Sequence, residues 1–204
     1  MIQIEKAPQN NEDLRATIVS DLRLTGREHI EDLIEYLDDA KFFTAPASTK
    51  NHLFKDGGLA EHSYNVYKIA DTIARYLLDF DTYMHMSSSI CIAAYLHDVG
   101  KCGQFGMAYY VENILKTGKR SEAKPYEINK DLIPVPHSMI SVVEIQKRIE
   151  LTQEEQFAIL CHDGLYGEMK YVVQGHENLL YLLIHNADML ASRILETEGE
   201  ESNE

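Results

Sequence analysis

The sequence predicts an all-α bundle carrying one small inserted β-hairpin around residues 107–130. Three observations predict it. Apolar residues recur at helical spacing in most long windows, helix start and stop residues bracket those windows, and a single stretch switches to strand-type composition around a glycine turn. With 204 residues, 45% hydrophobic and 25% charged, the chain suits one domain with one core. No internal repeat and no Pro/Gly/Ser linker divides it. Residues 1–195 therefore read as a single domain, with a helical extension over 13–40 and a core over about 44–195, followed by a solvated acidic tail over 196–204.

Residues 1–12 are polar and expected to be loosely ordered. Within 27–39, Ile30, Leu33, Ile34 and Leu37 form one apolar helix stripe, which Pro46 follows as a breaker. Gly57 and Gly58 open a long helix to about Leu78, with Leu59, His62, Val66, Ile69, Ile73 and Leu77 on one face. A buried helix is expected from Ser87 to Val99, terminated by Gly100. The hairpin pairs Tyr109–Ile114 with Pro125–Ile128 across Lys116, Thr117, Gly118 and Lys119. Thr152 and Glu155 form a capping box for a helix that carries Phe157, Ile159 and Leu160 and stops at Gly164. The final helix runs from Glu177 to Leu195, with Leu180, Leu183, Ala187, Leu190 and Ile194 inward.

Nineteen basic against thirty-three acidic residues leave a formal charge of −14, which repels duplex DNA and anionic membranes. A small anionic substrate at a locally positive site remains compatible with that surface. Three cysteines without CxxC spacing suggest neither a disulfide framework nor a zinc ribbon. The N-terminus lacks a signal-peptide pattern, and the longest apolar run, Ile90–Leu96, is too short to span a bilayer, so a cytoplasmic location is expected.

The chemistry points to the histidines. His97 and Asp98 are adjacent, about 100° apart on an α-helix, and converge on one point only near a helix end. Imidazole and carboxylate together make a good transition-metal ligand set. His62 lies on the apolar face of its helix, and Asp188 sits inside the most hydrophobic helix, where a carboxylate needs a cation or several donors. His137 follows Pro136 at a helix start, and His162 ends a helix before Gly164. Singly, each has an ordinary explanation: a satisfied core histidine, a helix-terminal residue, an arginine partner. One metal site explains all of them at once.

The order His62, His97-Asp98, His137, His162, Asp188 resembles the HD-domain superfamily of metal-dependent phosphohydrolases. The stretches Gly57–His62, Leu96–Lys101 and Ala187–Ser192 carry the likeness, which spans roughly residues 44 to 195. The resemblance implies an HD-domain helical bundle in which His62, His97, Asp98 and Asp188 hold a first metal. His137 and His162 then belong to a second metal, with Asp98 bridging both. His162-Asp163 departs from relatives that carry a second histidine there, leaving Asp163 as either a ligand or an acceptor behind one. The histidine-rich set favours two divalent transition ions (Mn, Fe, Co, Ni or Zn) over magnesium.

The expected function is hydrolysis of a phosphate ester or phosphodiester of a nucleotide or short oligonucleotide by metal-activated water, with Asp98 as the catalytic bridge. Lys101 either approaches a substrate phosphate, as a catalytic cation, or is an ordinary helix-end cation. Lys50 and His52 are candidates to line the pocket, and Lys116, Lys119, Arg120 and Lys124 to form a basic lid or wall. His185, three residues before Asp188, either orients that carboxylate or is an ordinary core or surface residue. Two other classes share the ligand order or the fold: a di-iron oxygenase, and a non-catalytic ligand-sensing module that keeps its metal for structure.

Overall fold

The computed structural model describes residues 4–197. Eight α-helices and one two-stranded antiparallel hairpin form within them: α1 (Asn11–Leu24), α2 (Ile30–Asp39), α3 (Gly58–Leu77), α4 (Phe80–Leu96), β1 (Tyr110–Glu112), β2 (Tyr126–Ile128), α5 (His137–Gln146), α6 (Gln153–Cys161), α7 (Lys170–Val173) and α8 (Leu179–Leu190). The all-α expectation with its small hairpin holds. No helix among the described residues is long and apolar enough to cross a membrane.

The core forms where α3 and α4 pack on each other and on α8, with α6 closing the far side. Ile90, Ile92, Leu96 and Val99 are fully buried, and Leu33, Leu37 and Leu59 join them. Each such side chain contributes about 1.5–3 kcal/mol of burial free energy. Helices α1 and α2 contribute Leu14, Ile18, Leu22 and Leu33 to this core. Cys91, Cys102 and Cys161 are free and buried.

From residue 4 onward the N-terminal stretch is more ordered than its polarity suggests. Asn10 accepts from the backbone N–H groups of Glu12 and Asp13, starting α1 two residues ahead of the expected extension. Ahead of it, Ile4 and Ala7 pack on the core, and Glu5 pairs with Lys68 at 2.9 Å. Similarly, α4 begins at Phe80 rather than Ser87, because Asp79 caps it by accepting from the Thr82 N–H. It ends at Leu96 rather than Val99, and Val99–Cys102 turn instead in a short 3-10 helix.

Gly100 therefore does not terminate α4. Its backbone presses against α5 so closely that a Cβ there would lie 2.0 Å from the His137 carbonyl oxygen. The predicted capping box of Thr152 and Glu155 is present, and its helix ends at Cys161. Asn178 caps α8, which then widens into a π-helical turn over Ala191–Leu195 rather than continuing as α-helix. Hairpin register pairs Tyr110 with Ile128 and Glu112 with Tyr126, and an isolated bridge joins Ile114 to Arg120.

Candidate metal centre

Three helix ends and two helix bodies converge on one largely buried region. His97 is the C-cap of α4 and His162 the C-cap of α6. At both positions the Nδ1–H donates to the carbonyl three residues back, Ala94 and Ile159, at 2.8 Å in each case. A carbonyl only accepts, so Nδ1 carries the proton in both rings and Nε2 faces inward. In both, the histidine is followed by an aspartate and a glycine-containing 3-10 turn. The chain thus uses the same local device twice.

His137 starts α5, pressed into place by Gly100 and by Ser141, whose hydroxyl donates to the His137 carbonyl and accepts from the Gly100 N–H. His62 projects from the body of α3, and Asp188 from α8.

The candidate ligand atoms fall into overlapping groups, two of which share Asp98, while a third, of His97, His162 and Asp188, runs across both. In the first, His62 Nε2 lies 3.3 Å from His97 Nε2, 3.2 Å from Asp188 Oδ1 and 3.6 Å from Asp98 Oδ2. In the second, Asp98 Oδ1 lies 3.1 Å from His137 Nε2 and 3.4 Å from His162 Nε2, and those two nitrogens are 3.2 Å apart. Donor atoms about 2.1 Å from a common cation stand roughly 3.0–3.4 Å from each other, in tetrahedral or octahedral arrangement. These spacings therefore suit divalent ions. Asp98 is 1% exposed, and its Oδ1 has no hydrogen-bond partner, a buried lone-pair site that asks for a cation.

The charges agree. Burial works against ionising Asp98, yet the Lys101 ammonium, 2.6 Å from Oδ2, and the surrounding imidazoles hold its pKa well below the usual carboxylate range. Burial would likewise lower His62, but Glu196 and Asp188 raise it to about 10. His162 is raised to about 9: burial opposes protonation, and Asp98 outweighs it. His97, in contrast, is lowered by burial.

The HD domain family model matches residues 59–170, more than half of the chain. The chain belongs to the HD-domain family. No curated protein and no solved structure gives a match. The matched segment holds His62, His97, Asp98, His137 and His162, while Asp188 lies beyond it. HD-domain proteins are generally metal-dependent phosphohydrolases, and the His/Asp clusters of this one are able to hold metal.

One participant escapes a reading of the sequence alone. Glu196, expected in a solvated tail, is buried with its side chain 1% exposed, accepting from His62 Nδ1 at 3.0 Å and from Asn65 Nδ2 at 3.0 Å. The tail thus begins after this residue at the earliest, and its segment 198–204 lies outside the described residues. The sequence carries a faint signal of it: Glu196 follows Asp188 by two helical turns, hence on one side of a continuing helix.

The other candidates are scattered. A cavity of about 830 Å³ opens beside the second ligand group, lined by Tyr109, Lys124, Asn129, His137, Asp163 and Tyr166. Asp163 is 41% exposed and approaches His137 Nε2 and His162 Nε2 at 3.7 Å each. Lys124 is thus the member of the basic hairpin that reaches the cavity. Lys50 and Lys119 are exposed and do not line it. Arg120 is committed to Glu112 at 3.5 Å, to the Pro125 carbonyl and to the Tyr126 ring.

Lys101 contacts Asp98 and also lines a second cavity of about 920 Å³ bounded by α2, the 101–110 segment and the end of α5. His52 packs 5.1 Å from the His62 ring, away from the first cavity, and burial lowers its pKa to about 4. His185 does not orient Asp188. It hydrogen-bonds the His162 carbonyl at 2.7 Å and fills the space that a Cβ on Gly164 would need.

Proposed function

We propose that this chain is a two-metal phosphohydrolase that cleaves a phosphate ester or phosphodiester of a nucleotide or short oligonucleotide. The observation that carries the reading is the pair of ligand groups joined through Asp98, one of which opens at His137 and Asp163 into a nucleotide-sized cavity. His62, His97, Asp98 and Asp188 would hold one ion, and Asp98, His137 and His162 the other. Divalent transition ions supply Lewis acidity, which makes water acidic near neutral pH and neutralises charge on phosphoryl oxygens.

The chain's own groups do the rest. Asp98 presents one oxygen to each ligand group and is kept ionised by Lys101. Lys101 therefore serves as a partner of Asp98; of the two lysines that line the cavity, Lys130 pairs with Glu127 and Lys124 is the one offered to a substrate phosphate. Asp163, half-exposed at the cavity floor, is placed to accept a proton from a water entering there. Tyr109 and Tyr166 offer aromatic faces for a base.

A panel of nucleoside mono- and triphosphates, cyclic nucleotides and short RNAs, assayed with Mn²⁺-, Co²⁺-, Ni²⁺-, Zn²⁺- and Fe-loaded protein, tests the proposal. Phosphate or nucleotide release dependent on metal supports it. Oxygen consumption by the iron form, with no phosphate-ester turnover under any metal, replaces it with the oxygenase alternative.

A further inference from the structure

His97 and His162 have their outer nitrogens fixed by backbone carbonyls, which are free because both residues stand at helix C-termini. His62 has no such recourse. It lies one turn inside α3, where the neighbouring carbonyls are spent on the helix's own hydrogen bonds, so its Nδ1–H must find an acceptor elsewhere. The chain brings that acceptor from far away in sequence: Glu196, just past the π-helical turn, receives Nδ1 almost symmetrically, at 3.0 and 3.1 Å from its two carboxylate oxygens. Asn65, one turn along α3, donates to Oε1 at 3.0 Å and holds the carboxylate in place.

We infer that Glu196 is a positioning residue for the first metal, fixing the ring orientation of His62 so that Nε2 faces the ligands His97, Asp98 and Asp188. The inference rests on the reading of His62 as a metal ligand. A carboxylate behind a ligating imidazole does two things. It keeps the proton on Nδ1, leaving the Nε2 lone pair for the ion, and it makes that lone pair more electron-rich. The same hydrogen bond ties the end of the π-helical turn after α8 to α3, adding to the α3–α8 packing that sets Asp188 and His62 relative to each other.

The test uses full-length protein stripped of metal and titrated with Zn²⁺ by calorimetry, comparing wild type with Glu196→Gln and Glu196→Ala. Loss of such a carboxylate lowers metal affinity about 10–100-fold. Glu196→Ala should show that loss in one binding phase only, and Glu196→Gln, which still offers an oxygen to Nδ1–H, a smaller one. Nitrogen-15 NMR of the Zn²⁺-loaded protein supplies the second readout. The His62 Nδ1–H should persist in wild type and Glu196→Gln and exchange away in Glu196→Ala, while the His97 and His162 Nδ1–H signals stay in all three. Unchanged affinity with an unchanged His62 signal overturns the inference. So does an equal weakening of both phases together with a fall in the melting temperature of the metal-free protein, which marks Glu196 as a chain anchor only. A wild-type protein that takes up no Zn²⁺ overturns the metal reading itself, and this inference with it.

Discussion

Substituting Gly100 by alanine tests the packing that places His137. The added methyl would lie 2.0 Å from the His137 carbonyl oxygen and 2.9 Å from Ile140 Cβ. A comfortable carbon–oxygen contact is about 3.3 Å, so the 3-10 turn and the start of α5 must separate by about 1.3 Å. Nothing flexible lies in the way to yield first, since the obstacle is backbone. That shift exceeds the tolerance of about 0.5 Å within which a ligand constellation stays productive. Overpacking of this kind costs about 1–3 kcal/mol, which for a chain of this length lowers Tm by about 2–12 °C.

The damage should be local, because His62, His97 and Asp188 are held by other elements. Thermal denaturation followed by circular dichroism measures the first effect, and metal content after Zn²⁺ loading and gel filtration measures the second. The variant should retain one ion per chain where wild type retains two. A Gly100→Ala protein with wild-type Tm and two ions would refute the close packing of α5 on the 3-10 turn as the cause of His137 placement.

Four further outcomes are expected. Asp98→Asn should remain helical by circular dichroism yet lose both bound metal and turnover, because the shared carboxylate serves both ligand groups. Arg27→Ala should destabilise the fold by about 3–5 kcal/mol in urea titration, since it strands the fully buried Glu155 that Arg27 meets at 2.5 Å. That same pair gives a pH dependence. Burial tends to raise the Glu155 pKa, but Arg27 and its other donors hold it below the usual 4.5, so its contribution is present above that value and is lost as pH falls through the depressed folded pKa. Denaturation midpoints should therefore decline on acidification below about pH 4.5 in wild type and less steeply in Arg27→Met. Lys124→Ala should raise KM several-fold for a phosphorylated substrate, whereas Lys119→Ala should leave it unchanged, as a steady-state comparison would show.

Helix positions and most ligand identities are legible in the sequence because both follow from local chemistry. Apolar spacing locates α2, α3 and α6, and the Thr152–Glu155 box gives α6 its start. The histidines and aspartates stand out because a buried charge needs compensation wherever it falls. What stays hidden depends on contacts between distant segments. Gly100 looks like a helix stop from its neighbours alone, and only the arrival of α5 reveals it as a close-approach residue. Glu196 looks like part of an acidic tail until α3 is placed beside it. The basic hairpin is visible as a group, but which of its cations reaches the cavity depends on how Arg120 spends itself on Glu112 and Tyr126. Asp79 is an ordinary capping residue, and the first two turns after it, Phe80–Met86, mix polar with apolar side chains without a clear stripe, so the sequence makes α4 look too short.

The sharing of Asp98 between the two ligand groups, with Asp188 and Glu196 supplied by the distal portion of the sequence, has a consequence for biosynthesis. A nascent polypeptide emerging from the ribosome would expose His97, Asp98, His137 and His162 well before Asp188 and Glu196 are translated. Because α8 packs against α3, α4 and α6, the elements that carry the earlier residues reach their final packing only once α8 has been made. If the centre takes up metal as proposed, a product cut short upstream of Asp188 would lack a residue that stands 3.2 Å from His62 and could not complete that ligand group.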